Sequence, residues 1–508
     1  MGRTNHRLLI SIITVLLLAG CGTGPASPGG SPSAPGNPTP TPTPAPTPNP
    51  PPTPPPDPPP PPNPPPPNPP PPTPPPPTPP APGAAISAQF FGNHVGHEDA
   101  ANWPGLPIGA WRSWDVFTIS ASCPNGRNVT WQTIGTADND YCWTTLDLWV
   151  SYITSKGVDI DYVIGKTPSY AAPAAAAPPN DLLSGDNYFK NFVSALTTRY
   201  NGLNGHGFIK YYEIWNEPNA STFWTGTPQQ LASMVKDASA IIRSNSPNSL
   251  IIAPASQGYS SYQYLDSLLA DGIAPYVDII GYHNYLGSRG NLPTSGQPAT
   301  TGPEYTTTLI NSYKATLAKY NVSLPIWNTE FSFGCVYPPG TSGGGNTAAC
   351  PATESSFLPD REAEASWLAR TYIIQASMGI GRSYWYGWDY SPYGTQWASS
   401  GDLIGVWPSG YAYQNLQTWL VGKTFASDCT PTPQGDFYNC SLVDSSGAPE
   451  QITWSTLATC NVTPCSITPP ANFSHYQVLS ITATADAPSP INSQTVSMTN
   501  NLPVLLTQ

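Results

Sequence analysis

Between Gln89 and about Lys423, short apolar runs alternate with longer stretches whose apolar residues recur at helical spacing. The short runs predict strands at 90–94, 109–114, 160–165, 209–215, 250–253, 277–283, 326–331 and 383–388. The longer stretches predict helices at 143–156, 188–200, 228–244, 305–320 and 361–378. Thr227 before Pro228 is a sound helix start: a hydroxyl cap followed by a proline whose missing N–H costs nothing there. Eight strands with helices between them predict a (β/α)₈ barrel over residues 84–423. A doubly wound open sheet is the alternative. That fold carries a glycine-rich phosphate turn after its first strand, and "FFGNHVGHED" is not such a turn.

After Gly422 the pattern changes. Helical spacing fades, and Thr, Ser, Pro and Asn separate short alternating runs. "HYQVLSITATA", "SQTVSMT" and "LPVLLTQ" predict strands of a small β-sandwich over residues 424–508. The chain just before the barrel is a candidate contributor of one further strand.

The N-terminal part reads as targeting and tether. Arg3 and Arg7 precede the apolar run 8–18, which is short for a membrane span and fits a signal peptide. The run closes on Leu18-Ala19-Gly20-Cys21, which resembles a bacterial lipobox; residues 1–20 would then be removed and Cys21 lipidated. Residues 21–83 hold most of the chain's 67 prolines. A segment of that composition buries no apolar surface and favours polyproline II. At about 3.1 Å per residue, its roughly 60 residues reach on the order of 190 Å when extended. The expectation is a disordered linker that holds an exported domain away from a membrane of the bacterial envelope.

Composition narrows the ligand. Charged residues make up only 9%, the net charge is −12, and there are 16 Trp and 27 Tyr. A general nucleic-acid binder needs a basic face, which argues against that class. Many aromatics and few charges suit a neutral, flat ligand such as a sugar ring. Apart from Cys21, eight cysteines remain, in four couples close in sequence: Cys123 and Cys142, Cys335 and Cys350, Cys429 and Cys440, Cys460 and Cys465. Proximity predicts a disulfide within each couple, in an oxidising compartment. No CxxC and no histidine cluster accompanies them, so no metal is expected.

Barrel enzymes work at the C-terminal ends of their strands. The fourth predicted strand ends in Asn216-Glu217-Pro218 and the seventh in Thr329-Glu330. Strands four and seven stand on opposite sides of an eight-stranded barrel, so their carboxyl groups face one another across its mouth. Two carboxyl groups flanking one bond are what glycoside hydrolysis needs. "IWNEPN" and "IWNTEFS" resemble the two catalytic motifs of glycoside hydrolase clan A, and most of all the β-xylosidase and α-L-iduronidase family, glycoside hydrolase family 39.

The resemblance implies that Glu217 is the general acid/base and Glu330 the nucleophile of a retaining hydrolase acting on a β-linked oligo- or polysaccharide. It implies that Asn216 binds the 2-hydroxyl, that Arg112 of "GAWRSWD" keeps Glu330 anionic, and that Tyr285 of "GYHNY" donates to Glu330 while His283 lines the sugar site. His94 is a further hydroxyl-binding candidate. In "SYWYGWDY" either Trp385 or Trp388 is a candidate floor for the sugar, with barrel core as the alternative for both. Glu213 lies about two steps deeper than Glu217 and reads as a buried structural group with a basic or polar partner. Asp115, Asp278 and Asp389 read as caps, turn residues or supports. The chemistry needs no cofactor. A non-catalytic carbohydrate-binding lipoprotein on the same fold is the alternative, and a transglycosylase uses the same residues. A decayed enzyme is expected to lose one of these groups, and all are present. The Cys335–Cys350 loop follows Glu330 directly, and its Gly and Pro content suggests a surface loop that shapes the subsites.

Overall fold

The computed structural model describes residues 84–98, 103–286, 302–333, 361–389, 396–398, 405–461, 463–498 and 501–508. Cys21, the proline-rich tether and the Cys335–Cys350 loop lie outside the described residues.

Eight parallel strands form the barrel: β1 (Phe91–His94), β2 (Ala110–Arg112), β3 (Asp159–Ile164), β4 (Tyr211–Ile214), β5 (Leu250–Ile252), β6 (Ile280–His283), β7 (Ile326–Phe331) and β8 (Ser383–Tyr386). Each pairs with its neighbour in sequence, and β1 also pairs with β8. The circle closes at β5. Ile252 bridges Ile279, and the short continuation Ser256–Gln257 pairs with Tyr282 and His283 of β6. Among the described residues the longer helices that follow the strands are α1 (Thr144–Ser155), α2 (Asn187–Arg199), α3 (Pro228–Asn245), α4 (Ser261–Ala270), α5 (Thr306–Lys319), α6 (Arg361–Ser377) and α7 (Pro408–Leu420).

Local chemistry explains these elements. In α3, Thr227 accepts the Gln230 N–H at 3.2 Å, while Gln230 Oε1 accepts the Thr227 N–H at 2.8 Å. This reciprocal capping box satisfies donors that a helix start otherwise leaves unpaired. Leu231, Met234, Val235, Ala238 and Ile242 then form the buried stripe. Helix α6 is buried almost all round. It has the barrel on one side, and its Ser366 hydroxyl donates to the Asn501 carbonyl of the C-terminal domain.

The inward side of the strands sets up the site by simple alternation. One apolar layer contains Ala110, Tyr211, Ile252, Ile279, Trp327 and Tyr384. Gly92 belongs at this level because a Cβ there would sit 2.5 Å from the Tyr384 ring. Two residues further along their strands stand His94, Arg112, Glu213 and Tyr386, with His283 two residues past Gly281, which pairs with Trp327 of the apolar layer; all five are buried. An apolar plug thus carries a polar, nearly dry layer at the strand ends.

The C-terminal domain is antiparallel, as expected. Its main sheet runs Thr424–Phe425, β9 (Phe437–Val443), β10 (Pro449–Ser455), β12 (Val504–Thr507), β11 (His475–Val478), Ser489–Pro490. A two-stranded sheet, Cys465–Ile467 with Val496–Met498, covers one face. Val504 and Leu506 pack with Val496 and Met498 there. The alternate residue Leu505, with Ile452 and Trp454, joins the apolar cluster of the barrel. The β9–β10 hairpin was not anticipated, although Tyr438, Cys440 and Leu442 alternate inward as a strand requires. No strand forms upstream of β1 among the described residues. Instead Ile86 and Lys423 join the barrel's two ends through the Ile86 N–H to the Lys423 carbonyl and the Gly422 N–H to the Ile86 carbonyl. Cys123–Cys142, Cys429–Cys440 and Cys460–Cys465 are disulfides.

The seam between barrel and sandwich is held by a buried ion pair. Arg370 of α6 donates to both oxygens of Glu304 at 2.7 and 2.6 Å, and the Trp454 indole N–H donates to Glu304 at 2.9 Å. Glu304→Ala would leave the Arg370 charge buried without its partner. It should destabilise the full chain by about 3–5 kcal/mol, read from urea unfolding curves.

Candidate active site

Arg112 is fully buried and organises the mouth. It grips Glu213 through two bonds, Nε to Oε2 at 3.0 Å and Nη2 to Oε1 at 2.6 Å. Its Nη1 donates to Glu330 Oε2 at 2.6 Å, and Nη2 also reaches Asn216 Oδ1 at 2.9 Å. Glu213 is therefore the buried partner that fixes the guanidinium plane, in line with its structural reading. The Tyr285 hydroxyl donates to Glu330 Oε1 at 2.7 Å. Both oxygens of Glu330 thus face strong donors.

Two breaks in strand alternation place the polar groups. In β7 the register with β6 slips between Asn328 and Glu330, so Glu330 rather than Thr329 pairs with His283. Such a bulge re-aims a side chain without ending the sheet. At the end of β4, Trp215 and Glu217 have φ of +80° and +43°. The Trp215 indole turns away to donate to the Phe223 carbonyl at 2.8 Å and to pack edge-on against Trp224. Asn216 then turns inward, and the Glu217 N–H is tied to the Ala255 carbonyl at 2.8 Å. Left-handed backbone on bulky residues is strained and is kept only where the surroundings fix it.

Glu217 Oε1 lies 2.7 Å from His283 Nδ1. His283 Nε2 faces Arg112 Nη2 at 3.3 Å. A guanidinium only donates, so Nε2 is the acceptor and the neutral ring carries its proton on Nδ1. Nδ1–H then donates to Glu217 Oε1. Burial holds His283 down to about 4, so it is neutral at pH 7. Burial pushes the Glu217 carboxyl up to about 8 against the pull of Arg112, with Asp115 and Glu213 adding to the rise. Burial also raises Glu330, but Arg112 and the Tyr285 hydroxyl oppose it. One oxygen from each glutamate and one nitrogen of His283 lie within 4.8 Å of one another. These are ligand-type atoms, and Arg112 already supplies the positive charge beside Glu330. The pair is built to hold one proton, and the weaker set of donors leaves that proton on Glu217.

The remaining sequence candidates divide. Asn216 keeps Nδ2 buried with no partner among the described residues. His94 is buried, with Nε2 3.2 Å from the Thr329 carbonyl and its ring edge-on to Tyr386 at 5.1 Å. Trp385 is a correction. Strand parity turns it outward, where it is fully buried and packs edge-on against Phe331 at 5.2 Å. Trp388 is 1% exposed, joins the barrel's apolar cluster, and its N–H holds the His94 carbonyl at 2.7 Å. Tyr386 keeps the most surface of the three, 8%. Sequence reasoning missed it, yet alternation from Tyr384 points straight to it. Asp161, also missed, is buried in the polar layer with neither oxygen partnered among the described residues. Asp278 pairs with Arg243 and Asp389 accepts the Gly96 and His97 N–H groups, both supports as read.

The family model Cellulase (glycosyl hydrolase family 5) matches residues 124–391, more than half of the chain. The chain belongs to that family. It is a glycoside hydrolase of clan A, and the match spans β3 to β8 with both glutamates. Among solved structures, a family 39 glycoside hydrolase from Bacteroides cellulosilyticus WH2 is similar at 16% identity, covering 84% of this chain and 83% of that one, with a TM-score of 0.59. A conserved exported protein from Bacteroides fragilis is similar at 13% identity, covering 83% and 98%, with a TM-score of 0.54. The GH51 arabinofuranosidase from Xanthomonas axonopodis pv. citri is similar at 13% identity, covering 84% and 98%, with a TM-score of 0.53. At these identities the likeness is one of fold. No curated protein matches in sequence. Family 39, to which the motifs pointed, and family 5 share the clan.

The Tyr285 bond gives a direct test of how Glu330 is held. Removing a donor to a carboxylate raises its pKa. Tyr285→Phe should move the Glu330 titration to higher pH, measured by ¹³C-carboxyl NMR, and leave the fold unchanged by circular dichroism.

Proposed function

We propose that this chain is a retaining hydrolase of β-linked oligo- or polysaccharides, with Glu330 as nucleophile and Glu217 as acid/base. The observation that carries the assignment is the unequal treatment of two nearby carboxyl groups. Glu330 receives Arg112 and Tyr285 on its two oxygens, whereas Glu217 receives one neutral imidazole. The first suits a carboxylate, the second a carboxylic acid. One oxygen of each lies within 4.8 Å of the other, an approach compatible with the short carboxyl separation of retaining enzymes, about 5–5.5 Å.

In the first step a Glu330 oxygen bonds to the anomeric carbon as the glycosidic C–O bond breaks. Glu217 gives its proton to the departing oxygen. With Oε1 held by His283, that proton sits on Oε2. In the second step Glu217 takes a proton from water, the water oxygen bonds to the anomeric carbon, and the bond to Glu330 breaks. Two inversions return the original configuration. Asn216 Nδ2 is the donor for the 2-hydroxyl, where a bond that strengthens in the transition state lowers the barrier. Tyr386 takes the floor position expected of a tryptophan, with His94 beside it. Activity is favoured over a purely binding role because a lectin gains nothing from a carboxyl group held protonated against its ordinary range. A transglycosylase differs only in excluding water from the second step.

The N-terminal segment supports export, cleavage before Cys21 and lipid anchoring, and the disulfides agree with an oxidising compartment. Cys21→Ser should move the protein from the membrane fraction to the soluble fraction of the producing cell; unchanged fractionation would contradict the anchor.

For the chemistry, kcat/KM on an aryl glycoside panel should fall as pH rises through about 8, where Glu217 loses its proton. It should also fall at low pH as Glu330 gains one, at a pH above the ordinary carboxylate range. Glu330→Ala should abolish turnover. Glu217→Ala should cost about 10²–10⁴-fold, and less on dinitrophenyl glycosides, whose leaving group needs no proton. Product NMR should show the substrate's anomeric configuration first.

A further inference from the structure

Asp115 and Lys166 stand just past the ends of β2 and β3, and neither makes or breaks a bond in the mechanism, although Asp115 adds to the rise of Glu217. Both have left-handed backbone, with φ of +56° and +63°. Non-glycine residues seldom hold that conformation, and such outliers gather at ligand sites. Their side chains meet: Lys166 Nζ is 3.5 Å from Asp115 Oδ1 and 4.8 Å from the centre of the Trp114 ring. They remain open to solvent, 28% and 35% exposed. The Tyr386 hydroxyl donates to Asp115 Oδ2 at 3.4 Å. Tyr386 in turn stands edge-on to His94, so this pair continues the floor of the site outward.

The chemistry of the pair selects its ligand. A charged hydrogen bond closes to about 2.7–2.9 Å, so the 3.5 Å gap is a loose contact. One group only accepts and the other only donates. A sugar hydroxyl gives its hydrogen to Asp115 and takes one from Lys166; two neighbouring hydroxyls share the work equally well. The two charges cancel. An anionic sugar would gain Lys166 but meet Asp115 at the same place, so the pair suits a neutral ring.

We propose that Asp115 and Lys166 form a hydroxyl-binding subsite for a neutral sugar, next to the two glutamates, and that it sets specificity rather than performing chemistry. The inference rests on the glycosidase reading. The test uses the full chain with the β-linked disaccharide that the wild type hydrolyses best, together with its monodeoxy analogues. Lys166→Met and Asp115→Asn should each raise KM about 10- to 100-fold, the range for losing a hydrogen bond to a charged group, with kcat for Lys166→Met within about threefold. On the analogue that lacks the bound hydroxyl, wild type and Lys166→Met should converge. An unchanged KM, an equal penalty on every analogue, or a loss confined to kcat would overturn the subsite. Lys166→Arg, which keeps the charge, should recover part of the affinity if Lys166→Met proves unstable; no recovery would also overturn it. A wild type inactive on every glycoside would instead overturn the glycosidase reading.

Discussion

The structure depends on what one buried guanidinium does. Arg112 is taken out of water entirely, which is costly unless every direction around it is answered. Glu213 answers it with a two-bond grip from below, and Glu330 and Asn216 answer from above. The lower carboxylate pins the cation, and the pinned cation gives Glu330 its charge. Remove the cation and Glu330 would keep the Tyr285 hydroxyl but lose the positive charge that opposes its burial. The asymmetry between Glu330 and Glu217, on which acid/base chemistry relies, therefore begins one layer below the reacting atoms.

That arrangement needs a barrel with a solid floor. The apolar layer around Tyr211, Trp327 and Tyr384 blocks water from beneath. Low dielectric then amplifies each charge above it, and burial becomes the leading cause of the raised Glu217 and the lowered His283. The irregularities stand at the rim. The slip in β7 and the left-handed residues at the end of β4 bring Glu330, Asn216 and Glu217 to one point, which regular strands would not do. The C-terminal sheet lends its Trp454 to the Glu304–Arg370 pair behind α6, and so braces the helix that follows β7.

Much of this was legible in the sequence for physical reasons. Apolar runs two faces deep announce parallel strands, and a proline after a carboxyl residue announces where one stops. Glu213 was readable as structural because its distance from the strand end puts it a layer down. The tryptophan of β8 was misjudged because the size of an indole outweighed parity: Tyr384 and Tyr386 share the inner face, and Trp385 does not. The bulge in β7 had no sequence signal, since "IWNTEFS" alternates acceptably in either register. The β9–β10 hairpin was passed over although polar Asn439 and Ser441 alternate with buried Tyr438, Cys440 and Leu442, the pattern of a half-buried strand. Helix α6 shows little amphipathic bias because two domains bury it from two sides.

The central claim is that Glu330, held charged by Arg112 and Tyr285, is the atom donor to the anomeric carbon. A mechanism-based 2-deoxy-2-fluoro glycoside with a good leaving group slows both steps but the second more, so a covalent intermediate accumulates. Mass spectrometry of the intact chain and then of its peptides locates the adduct. One sugar per chain, on the peptide and side chain of Glu330, is the predicted result. An adduct on Glu217, or full turnover with no adduct and inverted product, would contradict the account.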